Sequence, residues 1–308
     1  MFQPSLLAFT KREDVIEDEF CGSISIFNEF GLLDGCGHNN SYKWLHELSD
    51  FAVATLLIDF ETINFFNFSE DELVIMTSTH GASEEQIGIL NSILAKINLS
   101  EKNLKCPNLN SFPDKNNGKI LNPHSGVHCA MLALCIQNGW NIYNYFENSH
   151  PLQKTISKKI KQLAQVNFVQ MAQGQSGCPI FALTCDDLAK MFINIFSDKK
   201  YDLISKSILN YPYIFGGSTS FDSELIYAGR KKIIAKSAYG GLFSAYNLLE
   251  NQVLIIKLAQ ENQDALKHIT YRTLCNIGWL HNNPTDENIY NQQGIPVGKY
   301  FYNFSFSH

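Results

Sequence analysis

No run in this chain approaches the roughly 20 consecutive apolar residues that a membrane-spanning helix requires. Eight cysteines are present, yet no pair has C-x-x-C spacing, which removes zinc-ribbon and thioredoxin-type readings. Charge is scarce, at 18% of residues, and Lys and Arg number 24 against 30 Asp and Glu, a net −6. Nucleic acid and anionic membrane surfaces both demand clustered basic residues, so neither is expected as a main partner. The opening stretch MFQPSLLAFTKRED lacks a basic start followed by an apolar run and a cleavage site. Reduced thiols and a cytoplasmic location are therefore the expectation. Internal repeats and low-complexity segments are also missing.

What the chain does have is bulk. With 308 residues and 45% hydrophobic content, it can bury a large core as one α/β domain or two intimately packed lobes. Residues 22–27 alternate as a half-buried strand does, and Asn28-Glu29-Phe30-Gly31 follows as a turn. Periodicity predicts helices over 45–58, 84–97, 125–138, 151–166, 186–197, 200–209 and 262–279. Leu73–Thr77 reads as a short buried strand. Residues 98–121 read as the longest loop and a candidate lid. Gly/Ser-rich loops are expected at 174–179 and 215–221. Lys232–Lys236 and Gln252–Leu258 read as strands around a helix that starts near Tyr239, and the tail from Asn283 as loop and strand. Strands thus gather at both ends of the sequence with helices between them. That order fits an antiparallel sheet with a helical insertion better than alternating βαβ units.

The most distinctive stretch is Asn122–Gln153. A small-residue loop, His124-Ser125-Gly126, runs straight into a helix that ends at Gly139-Trp140. His150-Pro151-x-Gln153 then opens the next helix, with proline at its first position. This cadence resembles the asparaginase II family, the class 3 or thermolabile-type L-asparaginases, whose segment reads roughly N-x-C-S-G-K-H-A-G-M-L-A-L-C, G-W, H-P-x-Q. Further markers follow in the same order. They are Glu17 and Gly22, Thr77–Gly81, Gly174–Phe181, Phe221-Asp222-Ser223, Ala235-Lys236 with Gly240-Gly241, and the terminal Pro284, Asn291, Gly294, Val297 and Gly298.

The resemblance implies an α/β (α+β) fold of the serine β-lactamase and glutaminase type. An antiparallel sheet with packed helices would lie beside a mostly helical lobe. It implies one domain over 1–308, with 1–40 and 215–308 forming the sheet lobe and 41–214 mostly helical. It also implies a homodimer and a small amino-acid-like substrate.

In the family the nucleophile looks like a serine in S-x-x-K, with a second serine in an A-S-H-S-G loop and a Cys/Lys/Cys metal cluster. An ungapped placement puts the S-x-x-K pair on His46 and Ser49 and the loop serine on His80. The metal positions fall on His124, Val127 and Ser176, and the neighbouring aspartate becomes Gly174. Of the reactive residues only a lysine, Lys236, is kept, so the Ser-Lys mechanism does not transfer.

The replacements have a common theme: His46, His80 and His124, three of nine histidines, should share one pocket. Imidazoles ligate metals and carry protons near neutral pH. The three are therefore candidate catalytic groups and ligands for a divalent metal, zinc or iron. Equally, they could be filler in a decayed pocket. Cys178 is a candidate nucleophile or metal ligand if it lies near an imidazole, and otherwise a small buried residue. Cys129 and Cys135 read as core. Ser49, Ser125, Ser176 and His128 are candidate substrate-binding residues, with Ser125 alternatively capping a helix. Lys236 is a candidate catalytic residue and anchor for an anion, and otherwise a solvated lysine at a strand end.

Three readings of function follow. The first is a divergent asparaginase-like enzyme acting on an amide or related carbonyl through a His-rich, metal-assisted site, with ordinary L-asparaginase activity weak or absent. The second is a recruited biosynthetic enzyme performing cyclisation, elimination or acyl transfer on an aspartate-derived intermediate. The third is a catalytically silent relative that binds a ligand or a partner, which Val127 in the former lysine position favours.

Overall fold

The structure is a computed structural model, and it describes residues 4–38, 40–108, 118–174, 176–282 and 286–306. Eleven β-strands occur among them: β1 (Ser5–Arg12), β2 (Val15–Asn28), β3 (Gly31–Cys36), β4 (Lys43–Trp44), β5 (Gln170–Gln173), β6 (Pro179–Leu183), β7 (Ile233–Ala238), β8 (Leu242–Asn247), β9 (Gln252–Leu258), β10 (Asn288–Tyr290) and β11 (Pro296–Tyr302). The main sheet has the order β10-β11-β1-β2-β9-β8-β7, with β3 also paired to β2; β4, β6 and β5 form a small second sheet. Every pairing is antiparallel. Strands from both ends of the sequence make the main sheet, as the sequence order predicts.

The α-helices are α1 (Asp50–Asp59), α2 (Thr62–Phe65), α3 (Glu70–Met76), α4 (Glu84–Lys96), α5 (Ser125–Gln137), α6 (Pro151–Ala164), α7 (Cys185–Phe196), α8 (Asp202–Asn210), α9 (Pro212–Gly216), α10 (Phe221–Ala228) and α11 (Gln263–Asn276). The fold is α+β, an antiparallel sheet packed on helices beside a largely helical layer, in line with the expected class. Both sheet faces are covered. On one, Phe196 of α7 meets Tyr246 of β8; on the other, Phe221 of α10 bridges Phe243 of β8 and Tyr271 of α11. Helix α1 runs through the middle of the helical layer, with residues 50–57 all buried. Its Phe51 packs against Phe192, Phe196 and Phe215. No helix among the described residues is long and apolar enough to cross a membrane.

Three sequence expectations need correction. Residues 73–77 are not a strand: 73–76 belong to α3 and Thr77 is its C-cap. A short apolar run is ambiguous by periodicity, and the Ser69/Glu72 capping box decides it, with the Glu72 carboxylate accepting from the Ser69 N–H at 2.8 Å. The segment after Tyr239 is strand β8, not a helix. All six β8 residues are buried, so burial on both faces erases the alternation that would have marked it as a strand. Strand β1, which pairs with β2 and β11, had no counterpart in the sequence reading. The middle of the candidate lid over 98–121, residues 109–117, and Pro284 lie outside the described residues.

Candidate active site

Four segments converge on one cleft: the turn before α1, the start of α5, the β5–β6 loop and the end of β7. His46, Glu47, Ser49, Asp50, His124, Val127, Met131, Ser176, Cys178, Pro179, Ile180 and Tyr239 line it, and its open volume is about 480 Å³, mouth included. The turn is a 3₁₀ helix, His46–Ser49, that passes directly into α1. His46 enters it at φ 45°, a left-handed conformation that is unfavourable for a residue bearing a Cβ. The preceding Leu45 N–H is fixed to the Phe181 carbonyl at 2.8 Å. That tie from the small sheet holds the turn in place.

The result is a pair of carboxylates one turn apart. Glu47 accepts the Tyr239 N–H at 2.8 Å through Oε2, and its Oε1 lies 3.7 Å from His124 Nε2. Asp50 Oδ2 lies 2.8 Å from Lys236 Nζ, which also donates to the Thr77 carbonyl at 2.6 Å. The Lys236 ammonium sits over the rings of Phe51 and Phe215 and is fully buried. Burial pushes the Asp50 carboxyl above the usual carboxylate range, and the Lys236 charge opposes that rise.

Sequence reasoning missed Glu47 and Asp50. The i, i+3 spacing of the family's S-x-x-K was placed on His46 and Ser49. Moved on by one residue, it falls on Glu47 and Asp50, and Asp50 is the residue that meets Lys236. Acidic residues at a helix start otherwise read as ordinary dipole partners, so the signal was present but not distinctive.

The predicted residues divide into two sets. His46, Ser49, His124, Ser176 and Cys178 line the cleft. His80, Ser125, His128 and Lys236 lie behind it, each at 1% exposure or less. His46 meets the Tyr239 ring edge-on at 5.3 Å, and burial lowers its pKa. Ser49 donates to the His46 carbonyl at 2.8 Å.

His80 is committed on both sides of its ring. Nδ1 accepts the Ala82 N–H at 3.1 Å, so the proton resides on Nε2, which lies 2.8 Å from Ser125 Oγ. Ser125 in turn donates to the Ile120 carbonyl at 2.9 Å. The donor sense therefore runs from His80 to Ser125 to the backbone. His80 is no base for Ser125, and Ser125 no nucleophile. Ser125 does not cap α5 either: Asn122 takes the His124 N–H through Oδ1 and the Ser125 N–H through its carbonyl.

Cys178 does lie beside an imidazole, with Sγ 3.7 Å from His128 Nε2. It also lies 3.7 Å from Met131 Sδ. Burial pushes its thiol pKa upward, against the thiolate that a nucleophile needs. The His128 ring is held by Tyr145 OH at 2.6 Å, and burial takes its pKa down to about 3. Cys129 and Cys135 are buried core residues. His150 is structural: its Nδ1 accepts the Leu152 N–H at 3.1 Å and caps α6.

The three-histidine metal site does not form. Among the described residues no three His, Cys, Asp or Glu side chains are grouped to hold a metal ion, and neither ring nitrogen of His80 is free. Among the described residues, His46, His80 and His124 therefore do not fit a shared zinc or iron centre.

His80 leaves a thermodynamic signature. Burial lowers its pKa from 6.5 to about 4. The unfolded chain therefore binds a proton between those values that the folded chain does not. Its contribution to stability is full above pH 6.5 and is lost as pH falls through about 4; His128 acts in the same sense. Asp222 acts oppositely. Its carboxyl, buried against Ser237, is raised from 3.8 to about 6, so its share is lost as pH rises through about 6. The melting temperature should fall on acidification from pH 6.5 to 4, and His80→Asn should flatten that slope. An unchanged slope in the variant would show that His80 is not held neutral.

The sequence profile of the L-asparaginase II family matches residues 8–301, and the chain belongs to that family. Membership points to asparaginase-type amide hydrolysis as the class of chemistry. No curated protein matches the chain. Among solved structures, a β-lactamase from Mycobacterium bovis matches at 9% identity and a TM-score of 0.46, over 84% of this chain and 95% of that one. A likeness that shallow carries no functional argument.

Proposed function

We propose that the protein hydrolyses an amide or related carbonyl of a small amino-acid-like molecule, with His124 as general base and then general acid, and Glu47 stabilising its charge. The observation that carries this reading is the pairing of the His124 imidazole with Glu47 Oε1, at 3.7 Å within the cleft. His124 would take a proton from water as the water oxygen bonds to the carbonyl carbon. The resulting imidazolium, held by the Glu47 carboxylate, would return the proton to the leaving nitrogen as the C–N bond breaks. Water and amide thus give a carboxylic acid and ammonia. No protein nucleophile is needed, which agrees with Ser49 and Ser125 donating to backbone carbonyls.

Ammonia release should be measured on a panel of small amino-acid amides, asparagine among them. Turnover is expected on at least one panel member other than asparagine. Rates at the uncatalysed level for all of them would overturn the hydrolase reading. Turnover of asparagine in the ordinary enzymatic range, roughly 1–1000 per second, would instead show that a conventional mechanism operates.

A second reading, a ligand-binding relative without catalysis, is favoured by the buried commitments of His80, Ser125 and Lys236. It predicts a ligand that raises the melting temperature and is recovered unchanged.

A further inference from the structure

The charge arrangement around the cleft names the kind of molecule that enters it. Two carboxylates line it, Glu47 and Asp50. The cation nearest to them, Lys236, is fully buried and spent on Asp50 and the Thr77 carbonyl. Among the described residues no lysine or arginine lines the cleft. Burial lowers the pKa of His46, which keeps that imidazole uncharged at neutral pH. At the start of α5, the natural seat for a substrate carboxylate, Asn122 already takes the His124 and Ser125 N–H groups. The Tyr239 N–H, a further donor at the rim, is taken by Glu47. An incoming anion would therefore meet no cationic side chain among the described lining residues, and part of the backbone N–H supply is already taken.

A cation meets the opposite situation. Glu47 Oε1 has no partner closer than His124 at 3.7 Å. The Tyr239 ring, half-exposed and in T-shaped contact with His46, is an aromatic group in the same cleft. Carboxylate and aromatic face together form a recognised seat for an ammonium group. Val127, Met131 and Ile180 supply an apolar floor.

We infer that this cleft selects a small molecule by a free ammonium group, anchored on Glu47 and Tyr239, and gives no cationic anchor to a free carboxylate. The inference deepens the hydrolase reading by naming its substrate class as cationic amino amides. It does not need that reading to be right, because ammonium binding is measurable without turnover.

Asparaginamide carries the ammonium and no carboxylate, whereas N-acetylasparagine carries the carboxylate and no ammonium. Both should be titrated against the intact protein by calorimetry and thermal shift, using wild type, His124→Ala and Glu47→Gln. Asparaginamide is expected to bind at least about tenfold more tightly than N-acetylasparagine, about 1.4 kcal/mol. That preference should persist in His124→Ala and disappear in Glu47→Gln. Equal or tighter binding of N-acetylasparagine overturns the inference. So does undiminished asparaginamide binding by Glu47→Gln, or the failure of asparaginamide to bind wild type. Ammonium-selective binding without ammonia release would retain this inference and sink the hydrolase reading, so the two fail separately.

Discussion

Substituting His124 by Ala should lower kcat on the preferred amide by about 10²- to 10⁴-fold, the usual worth of a positioned general acid–base. The fold should hardly respond. His124 stands at the start of α5 with its side chain 23% exposed, and its backbone N–H donates to Asn122 Oδ1. Removing the imidazole therefore opens the cleft mouth and creates no core cavity. Steady-state ammonia release and a melting curve on the same preparation check both halves. A variant that keeps its kcat would remove His124 from the mechanism. A variant that loses activity and melts many degrees lower would show the residue to be structural.

Lys236→Met should produce the largest loss of stability, about 3–5 kcal/mol. Breaking a buried ion pair from one side strands the remaining charge in a medium that solvates it poorly. The stranded group here is Asp50, 7% exposed in the first turn of a fully packed helix. Methionine preserves the volume against Phe51 and Phe215, so lost charge dominates over lost packing. The Asp50→Asn/Lys236→Met double variant should recover part of the loss, since neither partner then carries a charge. Urea unfolding of the wild type, both single variants and the double variant gives the coupling energy. A single variant within 1 kcal/mol of wild type would mean that water reaches Asp50 and that the pair is not dry.

The long amphipathic helices were legible because each signals its own ends. Helix α4 opens with a Ser83/Gln86 capping box, and α6 with His150 as cap and Pro151 inside the first turn. Residues 22–27 of β2 and the strands β7 and β9 were legible from their β-branched residues although most of them are buried. Strand β8, LFSAYN, was not, because it has no β-branched residue and is buried throughout.

The site was legible to the level of segments but not of roles. The loops carrying His46, His124 and Cys178 do meet at one cleft. His80 resembled His124 in sequence terms, yet Ala82 and Ser125 absorb both of its ring nitrogens, a tertiary fact with no local trace. Glu47 and Asp50 stood one residue from the expected pair. Only the reach of Lys236 across 186 positions shows which register the turn adopts.

The pairing of Ala8 with Tyr302 also orders events in time. On the ribosome β1 and β2 emerge early, but the strands that flank them, β9 and β11, come from the last stretch of sequence. Until those strands arrive, β1 and β2 present open edges with unpaired backbone donors and acceptors, the kind of surface that recruits other chains. The helical layer from α1 to α8 can assemble meanwhile from contacts closer in sequence. Sheet closure is left as the late step of high contact order. A fold drawn shut from its two extremities is therefore most exposed to aggregation during synthesis, and least so once the last strand has docked.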